Sequence, residues 1–222
     1  MKKCETHKLF WDEYPYKLVI RNRLAPIFRN KNLSYARQIL DSIQSNYVEG
    51  KPLYLIRGIR KDNVLEDQFL DAKKLLHFFS KQNNYRLRVE YNSVNVYSLD
   101  YDWLMQISRA MSPHYVLEFW EPSSSILKYL EKNVIILAEE LGYNYRITLG
   151  NRKGNDGFAN FAKTNPHLVR VGPVLMREME QNGYVSGMYF YARDDKTIQL
   201  CQLMLDNIRR IDKIIYKQDI DK

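Results

Sequence analysis

The sequence predicts an α+β protein of two ferredoxin-like halves, each a split βαβ unit whose antiparallel sheet is covered by helices. Three observations predict it. Stretches with apolar residues at every second position alternate with stretches of helical spacing, in the succession that a split βαβ unit requires. The stretch YPYKLVIRN at 14–22 returns as YNYRITLGN at 143–151. Tyr143, Tyr145, Asn151 and Arg152 stand in the places of Tyr14, Tyr16, Asn22 and Arg23, and Arg146 in that of Lys17. The ends of the halves also correspond: 189–217 echoes 94–120, with Tyr191 for Tyr97 and Asp194 for Asp100. An internal duplication accounts for all of this, with a first half at 1–121 that carries an extra helix and strand. A connecting helix is expected within 122–142 and a second half at 143–222.

The elements follow in order. In the first strand Tyr16, Leu18 and Ile20 share a face and Lys17, Val19 and Arg21 the other. A basic irregular stretch broken by Pro26 leads to a helix that Ser34 is placed to cap. Gly50 and Pro52 end it, and PLYLIRGIR at 52–60 reads as a second strand. A helix with Phe69, Leu70, Ala72, Leu75, Leu76 and Phe79 inward comes next. Alternation through Tyr85, Leu87, Val89 and Tyr91, a turn at Asn92–Ser93, and Val94, Val96 and Tyr97 predict a hairpin. A short helix stopping before Pro113 and a strand at 114–122 complete the half. The stripe Ile126, Leu127, Leu130, Val134, Leu137, Ala138, Leu141 predicts a long helix over 124–141, with Gly142 as its C-cap. The C-terminal IDKIIYKQDIDK reads as an edge strand with a charged tail, where Lys discourages edge-to-edge pairing.

At 222 residues the chain can bury a real core, and 45% hydrophobic with 27% charged residues is ordinary globular usage. The net charge of +8 favours a partner rich in phosphate or carboxylate. Two cysteines, Cys4 and Cys201, are too few for a disulfide framework or a thiolate zinc site and point to a reducing compartment. The N-terminal MKKCETHKLFWDEY has no apolar stretch to make a secretory signal, and the longest apolar run, VIILA at 134–138, is far short of a membrane span. A cytoplasmic protein with no membrane partner is the expectation. Abundant Tyr, Lys, Asn and Ile, with only 9 Gly, fit an AT-rich genome such as that of a phage or a low-GC bacterium.

Three patterns carry candidate chemistry. Asp100 with Asp102, and Asp194 with Asp195, follow strands and precede helices. Paired carboxylates at a strand end can hold magnesium for nucleotidyl chemistry. The same position suits an N-cap, which is the reading the surrounding residues favour. The loop LGNRKGNDGF at 149–158 has glycines and cations but lacks the Gly-Lys-Ser/Thr of a P-loop and the Gly-x-Gly of a dinucleotide site, so it reads as a basic surface loop. The histidines, His7, His77, His114 and His167, fall into neither metal-ligand spacing nor a nucleophile motif, and His77 reads as helix packing.

The placement of the cations is the most informative pattern. Lys17, Arg21, Arg23, Arg29 and Lys31 crowd the first strand and its loop. Arg57, Arg60 and Lys61 decorate the second strand, and Arg86 and Arg88 leave the hairpin. Arg146, Arg152, Lys153 and Arg170 recur in the second half. An open sheet face bearing cations and rings holds single-stranded nucleic acid, because charge tracks phosphates and aromatics stack on bases. Tyr16, Tyr85 and Tyr145 fall with the apolar set, and SGMYFYAR at 186–193 matches the RNA-recognition signature only at Gly187 and Phe190. The leading expectation is a non-enzymatic RNA or single-stranded DNA binder using Lys17, Arg21, Arg23, Arg29, Arg86, Arg88, Arg146, Arg152 and Lys153, with no metal and no cofactor. The alternatives are an assembly subunit or homo-oligomer using Trp11, Trp103 and Trp120 for protein contacts, and a metal-dependent phosphodiester enzyme using the four aspartates.

Overall fold

In the strand Tyr16–Arg21, Leu18 and Ile20 are fully buried, which orients the whole sheet: this face carries the core and the alternate residues leave the other. The computed structural model describes residues 1–57 and 59–220; the side chains of Arg57 and Arg60 lie outside the described residues. Two units emerge, Met1–Ser123 and Ser124–Lys222.

The first unit runs β1 (Lys2–Glu5), β2 (Tyr16–Arg21), α1 (Leu33–Val48), β3 (Leu53–Arg57), β4 (Arg60–Val64), α2 (Glu66–Lys81), β5 (Tyr85–Glu90), β6 (Ser93–Ser98), α3 (Tyr101–Ala110) and β7 (Val116–Glu121). Its main sheet has the order β1-β7-β2-β6-β5. All neighbours are antiparallel except β1 and β7, which run parallel. Leu18, Ile20, Val94, Val96 and Phe119 meet Phe69, Leu75 and Phe79 of α2 and Leu104 and Ile107 of α3 in one core. Between β2 and α1 a 3-10 segment, Ala25–Lys31, begins with Pro near its first position and kinks at Arg29 and Asn30. The side chain that caps α1 is Asn32, not Ser34: it accepts from Tyr35 N at 3.0 Å. The predicted second strand does not join the main sheet. It pairs with β4 in a separate two-stranded hairpin.

The second unit runs α4 (Ser124–Leu127), β8 (Val134–Leu137), β9 (Tyr145–Leu149), α5 (Asp156–Thr164), β10 (Val169–Val171), α6 (Pro173–Glu180), β11 (Tyr189–Ala192), α7 (Asp195–Met204), β12 (Ile208–Tyr216) and α8 (Lys217–Ile220). The sheet order is β10-β11-β9-β12-β8, again antiparallel except for the parallel pair β8 and β12. Ile147, Leu149, Phe190 and Ala192 face Phe158 of α5 and Ile198 and Cys201 of α7. In each unit the first strand thus pairs in parallel with the last.

Two expectations are corrected here. The long helix over 124–141 does not form: one turn, Ser124–Leu127, is followed by β8. Val134, Ile135 and Ile136 are β-branched, all three are buried, and Asn133 before them takes a left-handed φ of 61°. A short apolar run buried on both faces fits a helical spacing by coincidence. Nor is the C-terminal strand an edge: β12 lies between β9 and β8, and its last two tail residues lie outside the described residues. Among the described residues no helix is long and apolar enough to cross a membrane.

Candidate nucleic-acid interface

The residues of each sheet that point away from its core form the candidate surface. On the first sheet, Arg86 of β5 pairs across to Tyr97 of β6, which pairs with Lys17 of β2, which pairs with Trp120 of β7. The next row outward-facing is Arg88, Asn95, Val19 and Glu118. Arg21 and Glu90 follow at the far end, both opposite Ser93. Lys17, Arg21 and Arg23 therefore line one groove of about 840 Å3, together with Glu90, Asn95 and Glu118. Arg23 is steadied by donating from Nη1 to Asn63 O at 3.0 Å, and Arg88 pairs with Glu90 at 2.7 Å.

One end of this face is covered by the chain itself. A tight turn at Phe10–Tyr14, closed by reciprocal backbone bonds of 2.9 Å, puts Phe10 and Trp11 on Tyr97. Phe10, Tyr97 and Trp120 surround the Lys17 ammonium at 5.7, 5.9 and 5.5 Å, and Arg86 lies 3.8 Å over the Trp11 ring. Burial raises the Tyr97 phenol above its ordinary pKa, and the nearby Arg88 opposes the shift.

The second sheet repeats the row in a more open form. Arg170 of β10 pairs with Tyr191 of β11, which pairs with Arg146 of β9, which pairs with Asp212 of β12. The following row brings Tyr189, Thr148 and Arg210 together. Tyr189 and Tyr191 meet edge to face at 5.7 Å, and the Arg146 guanidinium lies 5.0 Å over the Tyr189 ring. Asp212 is fully buried between two guanidiniums: Arg146 Nη2 donates to it at 3.4 Å and Arg210 Nε donates to its other oxygen. Burial raises the Tyr191 phenol, with Tyr189 adding to the shift while Arg146 and Arg170 pull it down.

The sequence-predicted cations thus separate into groups. Lys17, Arg21, Arg86 and Arg88 share the outer face of the first sheet, with Arg23 at its margin. Arg146 lies on the outer face of the second. Arg29 does not join them, because its 3-10 segment packs Phe28 against Phe79 of α2, on the helix side. Lys31 does not join them either: it is exposed, lies 3.8 Å over Tyr85 and donates to Asn83 O, and partial desolvation lowers its pKa. Arg152 and Lys153 stand in the loop after β9, with Arg152 reaching Asp206 at 3.9 Å. That loop is tied down: Gly154 N donates to Gly183 O at 2.7 Å, Lys153 bridges to Tyr184, and Asn155 caps α5. A Cβ on Gly154 would sit 2.4 Å from Glu178 O, so this glycine answers a close backbone approach.

The aspartates are occupied at helix starts. Asp100 accepts from Trp103 N at 2.9 Å, and Asp194 accepts from Thr197 N at 2.9 Å and Oγ1 at 2.8 Å. Hydrogen bonds to the carboxylate lower the Asp194 pKa. Asp195 accepts from the Tyr145 hydroxyl at 2.8 Å. Among the described residues no three His, Cys, Asp or Glu side chains converge on a point that could hold a metal. His77 is exposed, not packed. Of the tryptophans, Trp103 is a core residue whose ring packs at a tilt against Tyr85 and Phe79.

Three outer-face residues escaped sequence reasoning: the exposed Tyr189, the half-buried Tyr191 as an outward ring, and Arg210. The signal was present in YFYA, where Phe190 and Ala192 claim the core and force both tyrosines outward. No family model, curated protein or solved structure matches the chain.

Proposed function

We propose that this chain is a non-enzymatic protein that binds single-stranded nucleic acid, RNA or DNA, on the helix-free faces of its two sheets. The observation that carries the reading is one cross-strand row: cation, tyrosine, cation on three adjacent strands. It reads Arg86, Tyr97, Lys17 in the first unit and Arg170, Tyr191, Arg146 in the second. In the second unit such a row, beside the exposed Tyr189, offers phosphate partners flanking rings, the combination that single strands use and a duplex, with its bases stacked inside, does not; in the first unit Tyr97 is buried beneath Phe10 and Trp11, and the row offers cations without a free ring. The charge balance of +8 supplies the long-range attraction.

We also infer that each unit has a ferredoxin-like fold. Within each unit, β2, β5, β6, β7 and β9, β10, β11, β12 lie in the spatial order fourth, first, third, second, the order of a ferredoxin-like split βαβ sheet with one added parallel strand. Lys17 opposes Tyr97 as Arg146 opposes Tyr191, and each tyrosine precedes by three residues the aspartate that caps the next helix. Register, capping and strand order coincide, which favours duplication of one ancestral unit. The assembly and metal-enzyme readings have less behind them, since Trp103 serves the core and Asp100 and Asp194 serve as caps.

Fluorescence anisotropy with labelled single-stranded RNA, single-stranded DNA and duplex DNA tests the proposal. Preferential binding of single strands is expected. Flat titrations for all three at low salt would overturn it.

A further inference from the structure

The second unit carries a groove of about 630 Å3 at the β10 end of its outer face. Tyr189, Tyr191, Met188, Val174 and Leu141 give it apolar and aromatic walls, and Arg170 is the charged residue among its lining. No acidic residue lines it among the described residues, unlike the groove of the first unit with its Glu90 and Glu118. Tyr189 keeps 46% of its surface exposed, so a ring face is accessible. The first turn of α6 also borders the groove. Its N-cap is Gly172, which brings no side chain to the helix's first N–H groups, and the N-terminal end of a helix attracts anions.

We infer that this groove is the subsite for one unpaired nucleobase of a bound single strand, stacked against Tyr189 and Tyr191, with the adjoining phosphate between Arg170 and the start of α6. The volume lies within the range of sites that enclose a nucleotide-sized ligand. The cation and the open helix start lie at the same groove as the rings, so base and phosphate are recognised together. The inference rests on the nucleic-acid reading and deepens it, since cations alone would grip a strand without regard to its bases.

The test compares a labelled 12-nucleotide thymidine strand with an abasic strand of the same length at one salt concentration, using the full chain. The expected result is about 5- to 100-fold weaker binding of the abasic strand. Tyr189→Ala should weaken the thymidine strand by a similar factor and leave the abasic strand unchanged, while Tyr189→Phe restores the difference. Melting curves of the three proteins should coincide, because the ring is half in solvent. Equal affinity of the wild-type chain for intact and abasic strands would overturn the subsite and leave the electrostatic reading standing. Absence of binding to either strand would overturn both.

Discussion

Replacing Asp212 by Asn should loosen the second unit and tighten its grip on a strand at the same time. The carboxylate is fully buried, and it accepts from Arg146 and Arg210. Removing one partner of a fully buried pair costs about 3–5 kcal/mol. Here the arginine side chains remain 27% and 24% exposed, so water takes up part of the lost interaction. Asn also keeps the shape and one acceptor. About 1–3 kcal/mol is then the expected loss, and for a unit of this size each kcal/mol lowers the melting temperature by about 4–8 °C. The electrostatic effect has the opposite sign. One negative charge leaves the outer face, and unit charges about 7 Å apart interact by about 0.6–2.4 kcal/mol for effective dielectrics of 80 to 20. Salt keeps the effect near the low end, so binding of the folded protein should tighten about 3- to 10-fold. Circular-dichroism melts and strand-binding anisotropy well below the melting temperature read the two effects separately. Weaker binding by a variant that is still folded would refute the reasoning, since it would mean that Arg146 and Arg210 do not face the phosphates.

Asp100→Ala removes the bond to Trp103 N and should cost about 0.5–2 kcal/mol in chemical denaturation of the first unit. Asp194 has a lowered pKa in the folded chain, so its stabilising contribution is present above the unfolded value near about 4 and is lost as pH falls through the folded value. Melts of Asp194→Asn from neutral to acid pH should accordingly show a shallower acid dependence than wild type. Burial pushes the Cys201 thiol up to about 12, so thiol reagents at pH 8 should label Cys4 in the native protein and reach Cys201 only after unfolding, as peptide mass mapping would report. Trp11→Ala removes the ring beneath Arg86 and should cost only about 0.5–1 kcal/mol, because the pair is exposed; a larger loss in urea titration would mean that the Phe10–Tyr14 turn itself depends on it.

Much of the first unit was legible because its strands alternate cleanly and its helices carry wide apolar stripes. Tyr16, Leu18 and Ile20 announced their face, and α2, α3 and the β5–β6 hairpin fell where their periodicity put them. The opening strands β1 and β8 did not. β1 is a four-residue polar strand held by parallel pairing to β7, a tertiary effect with no local signature. In β8 a buried β-branched run imitates one side of a helix. The cations of β2 and β5 were legible as an outward set, because alternation fixes facing. The Phe10–Trp11 cover on Tyr97 was not, since a turn folding back onto its own sheet depends on contacts between residues far apart in the chain. The buried Asp212 was equally hidden: only the register of β12 on β9 brings it to Arg146.

The most direct test of the account is the salt dependence of single-strand affinity in wild type and in a variant with Arg21, Arg88, Arg146 and Arg170 changed to Gln. Each phosphate neutralised on a single strand contributes about −0.7 to the slope of log K against log salt. For four to seven contacts the account predicts a wild-type slope of about −3 to −5, made shallower in the variant by about 0.7 for each contact removed. A wild-type slope near zero, or the same slope in both proteins, would contradict the claim that these outer faces hold the strand.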